Sequence, residues 1–133
     1  MIAGLTRVLP RVGLLAGALL TAPGAAHGQA MGAKPASKDV TVSGVVVDVS
    51  CKFGQGLAGA DHRMCAQVCA DRGIPLAILG DDGTLYIPTS VAMPGDGQNA
   101  RLKEFAEQRV TVKGKTFAAG GARALEIETI KKA

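Results

Sequence analysis

The chain has no tryptophan, one tyrosine and three phenylalanines among 133 residues. Proteins that hold single-stranded nucleic acid stack bases on aromatic side chains in a basic groove. Four scattered aromatics do not build such a platform, so no nucleic acid is expected. Histidine is equally scarce, with His27 near the amino terminus and His62 in the body of the chain. A single body histidine and no serine in a nucleophile motif leave no hydrolytic triad to nominate. Gly54, Gly56 and Gly59 are not followed by the Lys-Ser/Thr pair that a phosphate cradle requires. Asp81 and Asp82 are adjacent in a Gly-Asp-Asp-Gly turn, which accounts for them without a paired-carboxylate site. No residue is nominated as catalytic, and a non-enzymatic role is expected.

Long apolar runs are also missing. The longest candidate, residues 12–20, is too short for a membrane helix of roughly 20 residues. It follows Arg7 and Arg11, is broken by Pro23 and Gly24, and precedes Ala26-His27-Gly28, with small residues at the −3 and −1 positions of a cleavage site. This is the layout of a secretory signal cut before Gln29, and Gly28-Gln29-Ala30 offers a second site. No cysteine near the cut invites a lipid anchor, and Arg7 and Arg11 are not adjacent as the twin-arginine route demands. The expected organisation is a cleavable signal at 1–28, a polar flexible leader at 29–39 and one domain at 40–133. The mature protein is expected in the periplasm or secreted, with no membrane attachment. Losing Arg7 and Arg11 takes the 15 basic residues to 13 against 11 acidic ones, a net charge of about +2. A core of modest size suits a domain of this length.

Residues 40–51, V-T-V-S-G-V-V-V-D-V-S-C, are β-branched almost throughout and start with period-2 alternation, as a long strand does. Gly44 lies inside it, where the strand can bend. A glycine-rich loop at 52–60 leads to a short helix at 62–72 with Asp61 as its N-cap, closed by Gly73 and Pro75. Strands at 74–79 and 84–88 flank the turn and form a hairpin. A second helix, starting at 99 or 100 and running to 108, carries Leu102, Phe105 and Ala106 on one face. Strands at 109–117 and 123–130 follow, joined across Gly120-Gly121. Five strands with a helix between the third and fourth is the order of an OB-type barrel. The fold expected is therefore mainly β: a small five-stranded OB-type barrel with a Cys/His-bearing helical insert between strands 1 and 2.

Chemistry concentrates in that insert. All three cysteines, Cys51, Cys65 and Cys69, lie within 19 residues and enclose His62, spaced C-x10-H-x2-C-x3-C. At 100° per residue, His62, Cys65 and Cys69 fall within about 60° of one helical face. Cys51, at the end of the first strand, can be brought over them by the glycine loop. Thiolates with an imidazole suit zinc, copper(I) or iron, and not calcium or magnesium. The expected ligands are Cys51, His62, Cys65 and Cys69, holding zinc or copper, in metal handling or as a structural site. A second reading is a disulfide from Cys51 to Cys65 or Cys69 in a metal-free binding or scaffold domain, favoured by an oxidising compartment. Cys65 with Cys69 pairs less naturally, because their side chains leave one helix nearly in parallel. A third is a thiol redox accessory, for which the Cys-x-x-Cys signature is missing. Lys52, Arg63 and Met64 are expected at the surface. Asp48, interrupting the valine run, is expected to face solvent or to orient His62.

The segments TVSGVVVDVSC, HRMCAQVCADRGIPLAIL and VTVKGKTF…ALEIETI resemble those of small exported bacterial proteins with an OB-like barrel and a Cys…His-x-x-Cys-x-x-x-Cys insert. Residues 62–75, H-x-x-C-A-x-x-C-x-x-x-G-x-P, are the most specific part. The strand layout is also similar to the bacterial OB-fold family of periplasmic proteins. The resemblance implies the barrel and an exported location, and the expected partners are a metal ion or another periplasmic protein.

Overall fold

A computed structural model describes residues 34–133. The expected signal segment and the first part of the leader lie outside them. Among the described residues, five strands close into a barrel in the order β1-β2-β3-β5-β4. They are β1 Ser37–Asp48, β2 Leu76–Gly80, β3 Leu85–Pro88, β4 Arg109–Ala119 and β5 Ala122–Lys132. Neighbours run antiparallel except β3 and β5, whose parallel pairing sets Ile87 against Ala124. This is the small OB-like barrel expected from the strand order.

β1 is the strand that bends the sheet shut. Its first half pairs with β4, from Ser37↔Phe117 to Val45↔Arg109, and its second half with β2, from Gly44↔Gly80 to Asp48↔Leu76. Gly44 sits where the two ladders overlap, and a Cβ there would collide with the backbone carbonyl of Leu79. The strand starts at Ser37 and not at Val40, because Ser37, Lys38 and Asp39 find backbone partners on the long β4 although their side chains are exposed. It ends at Asp48 and not at Cys51, because Asp48 caps a helix that begins at Val49.

Alternating residues fill the barrel. Val42, Val46, Ile78, Val110, Val112, Leu125 and Ile127 form one apolar cluster with Leu76 and Tyr86. Short helix α3, Asn99–Leu102, and a 3-10 turn, Lys103–Phe105, replace the longer helix expected there. Leu102 is fully buried in that cluster, which stabilises the fold by about 2 kcal/mol. Arg101 secures the helix by donating to the carbonyls of Ile127 and Glu128 at 2.7 and 2.9 Å. The β2–β3 turn is held by Asp82, which accepts from the Thr84 N–H at 2.9 Å and the Tyr86 hydroxyl at 2.8 Å.

The β1–β2 connection is the insert. It contains α1 Val49–Gln55, a 3-10 turn Ala60–His62 and α2 Arg63–Asp71. Asn99 ties it to α3, accepting from the Leu76 N–H at 3.0 Å and donating to the carbonyls of Ala70 and Ile74 at 3.0 and 2.8 Å. None of the described helices is long and apolar enough to cross a membrane.

Candidate metal centre

Asp48 decides where the first strand stops. Its Oδ1 accepts the backbone N–H of Cys51 at 3.0 Å, the side-chain cap that starts a helix. Cys51 therefore lies in the first turn of α1, not at the end of the strand. Gly56 closes this helix at φ 70°, with its N–H on the Cys51 carbonyl. The expected N-cap Asp61 instead lies inside the 3-10 turn, and His62 occupies the capping position of α2 without a side-chain bond. His62 thus immediately precedes the helix that carries Cys65 and Cys69. Gly73, at φ 88°, ends that helix as expected.

The four predicted donors are gathered closely enough to hold a metal, in two overlapping groups. The first is Cys51, Cys65 and Cys69; the second is Asp48, Cys51 and His62. Within each group, one ligand atom per residue lies within 4.8 Å of the others. Tetrahedral thiolates at the Zn–S length of roughly 2.3 Å stand roughly 3.8 Å apart, a separation inside the span that holds the three sulfurs. Cys51 belongs to both. All three cysteines are free thiols.

Burial differs sharply between the groups. Asp48 is fully buried, correcting the expectation that it faces solvent, and His62 and Cys51 are buried with it. Cys65 is exposed and Cys69 half-buried. Met64, 77% exposed, lies at the surface as expected. Arg63 is not simply solvated: it donates to the Glu104 carbonyl at 2.8 Å.

Two buried side-chain atoms among the described residues have no N–H or O–H partner: Asp48 Oδ2 and His62 Nε2. They belong to the same group. The other His62 nitrogen is engaged. Nδ1 lies 3.0 Å from Glu107 Oε1, and that carboxylate is 1% exposed. A carboxylate accepts only, so the Nδ1 hydrogen faces Glu107, and in the neutral ring Nε2 then has a free lone pair. Glu107 Oε2 also accepts the Gly59 N–H at 2.8 Å, fixing the loop before His62. Glu107 has a left-handed backbone, φ 57°, which is uncommon outside glycine. A residue 45 positions beyond His62 could not be connected to it from the sequence. The non-glycine left-handed turn at Glu107 carries no local signal either.

Electrostatics follow this geometry. Burial pushes the Asp48 carboxyl up, but bonds from the Cys51 backbone, the Cys69 and Cys51 thiols and the Ser50 backbone outweigh it, leaving the group below its ordinary value. The Cys69 thiol is pushed up to about 12, first by its hydrogen bond to Asp48, then by burial and the nearby negative charge. Cys51 is also raised, chiefly by burial and then by Asp48. Without a cation the Cys51 and Cys69 sulfurs therefore favour the thiol form. A metal ion reverses this balance by stabilising thiolates directly.

No protein-family model, curated protein or solved structure matches the chain.

Proposed function

We propose that this is an exported protein that binds zinc or copper through the cluster centred on Cys51. The observation that carries this reading is a pair of atoms buried beside a cysteine sulfur, Asp48 Oδ2 and His62 Nε2, neither of which meets an N–H or O–H donor. A buried polar atom left unsatisfied costs about 1–3 kcal/mol. Two such atoms grouped with a thiol are what a metal would satisfy at once. The Glu107–His62 arrangement supports the same reading, since a metal-binding histidine usually donates its other N–H to a carboxylate. Thiolate and imidazole donors favour zinc and copper over hard cations.

The test is metal analysis of the full chain, processed by its host and purified under reducing conditions. About one equivalent of zinc or copper is expected, and Cys51→Ser, which removes the donor common to both groups, should abolish it. Absence of bound zinc, copper and iron from the folded wild type overturns the proposal. In a parallel sample purified without reductant, an intact mass lower by one hydrogen pair, with one thiol left for alkylation, would identify a disulfide-stapled domain instead.

A further inference from the structure

The four expected donors do not surround one point equally. Asp48 joins Cys51 and His62 in a wholly buried set, while Cys65 and Cys69 join Cys51 in a set that opens to solvent. We infer that the cluster offers two alternative metal positions sharing Cys51: an inner one made by Asp48, Cys51 and His62, and an outer one made by the three cysteines. This deepens the metal-binding reading and rests on it. Its new elements are Asp48 as a direct ligand and a different metal preference for each position.

The inner position is distinguished by its unpartnered atoms. Asp48 Oδ2 and His62 Nε2 both lack N–H or O–H partners. An ion held only by the three sulfurs would leave them unsatisfied. Both residues are anchored through their other atoms: Asp48 Oδ1 on the Cys51 N–H, His62 Nδ1 on Glu107. The free atoms therefore have fixed directions, which is the preorganisation a metal site needs. One oxygen, one nitrogen and one sulfur make a mixed set for a borderline divalent ion, zinc above all.

The outer position has a different character. Three thiolates form a purely soft set, suited to copper(I). Cys65 and Cys69 are four residues apart on α2 and share a face. Because Cys65 is exposed, an ion can reach this position from solvent or from a donor protein without the barrel opening. With Cys51 in both sets, the two positions draw on one sulfur, so the two metals compete for it unless that thiolate bridges both.

The experiment titrates the reduced full-length mature protein separately with zinc(II) and copper(I), each against a chromophoric chelator, in wild type, Cys65→Ser and His62→Gln. X-ray absorption at each metal edge reads the ligands. Cys65 is exposed, so Cys65→Ser should leave the fold intact; it is expected to weaken copper(I) by about tenfold or more and zinc by less than about threefold, since only the outer set loses a ligand. His62→Gln is expected to do the reverse. The zinc edge should show oxygen or nitrogen beside sulfur, and the copper edge sulfur alone. If Cys65→Ser weakens both metals equally, or if both edges show the same ligands, there is one position; this inference then fails while the metal-binding reading stands. Binding of neither metal overturns both. Should His62→Gln melt differently from wild type without metal, Cys65→Ser and the two absorption edges still decide the matter.

Discussion

The two ends of β1 differ in chemistry. At its carboxyl end, beyond Asp48, the chain gathers a buried carboxylate, a buried imidazole and three thiols. At its amino end lies an apolar groove of about 500 Å³, whose walls include Lys34, Ile87, Val91, Met93 and Phe117. The cluster is held by directed hydrogen bonds to backbone and carboxylate. The groove is built by packing, with Met93 98% exposed and the Lys34 ammonium 5.7 Å above the Phe117 ring. Each end thus rests on a different kind of interaction, and each should fail independently of the other.

The sharpest separation comes from Phe117→Ala. Phe117 is 8% exposed, and truncating it should destabilise the protein by about 3 kcal/mol. Chemical denaturation would show this, while zinc and copper affinity of the folded protein stays unchanged. A loss of affinity would mean that the groove supports the cluster, and the contrast breaks. Cys51→Ser should do the opposite. Affinity for both metals should fall by more than about a hundredfold, beyond the usual effect of losing a supporting residue, with little change in metal-free stability. Glu107→Gln removes the charge that orients His62. Zinc affinity should drop by about tenfold, read by chelator competition, and copper(I) affinity should hardly move.

A pH series distinguishes the ends more gently. The Cys69 thiol is raised from 9.0 to about 12 in the folded chain. The unfolded chain therefore releases this proton first as pH rises. The stability it contributes is complete below about pH 9 and is lost as pH climbs towards 12. Denaturation of the reduced, metal-free protein at pH 8 and pH 10.5 should show the decline, and Cys69→Ala should flatten it. Smallest of all is Met93→Gln at the rim of the groove. Stability should stay within about 0.5 kcal/mol of wild type and metal affinity should be the same.

The barrel was readable in the sequence because its strands alternate, as in Val110-Thr111-Val112 and Leu125-Glu126-Ile127, and because turn residues separate them. The cysteines and His62 were readable as a cluster because they lie within 19 residues and because His62, Cys65 and Cys69 have the spacing of one helical face. Where the reading failed, the deciding contact was distant or hidden within a run of one residue type. Val45-Val46-Val47 and Val49 suggested one unbroken strand, although Asp48 three residues before Cys51 was a capping signal of ordinary strength. Its burial could not be foreseen, since a lone acid in a strand usually faces water. Ser37, Lys38 and Asp39 looked like a leader because their pairing depends on the length of β4. Glu107 was hidden within an expected helix. The apolar groove assembles side chains from the segment before β1, from β3 and the segment after it, and from β4 and β5, so its lining spans residues 34 to 124.

Glu107 has a consequence for the order in which the molecule matures. Its backbone N–H is bonded to the Val46 carbonyl at 2.8 Å, beside a bridge between Val46 and Ala106. Its carboxylate meanwhile grips Gly59 and His62. One residue therefore latches the seam of the barrel and aims the imidazole. Until position 107 is in place and the seam has shut, the His62 ring lacks the carboxylate that aims it. A metal bound as proposed should accordingly load late, on a finished scaffold, unlike the small zinc modules that collapse around their ion.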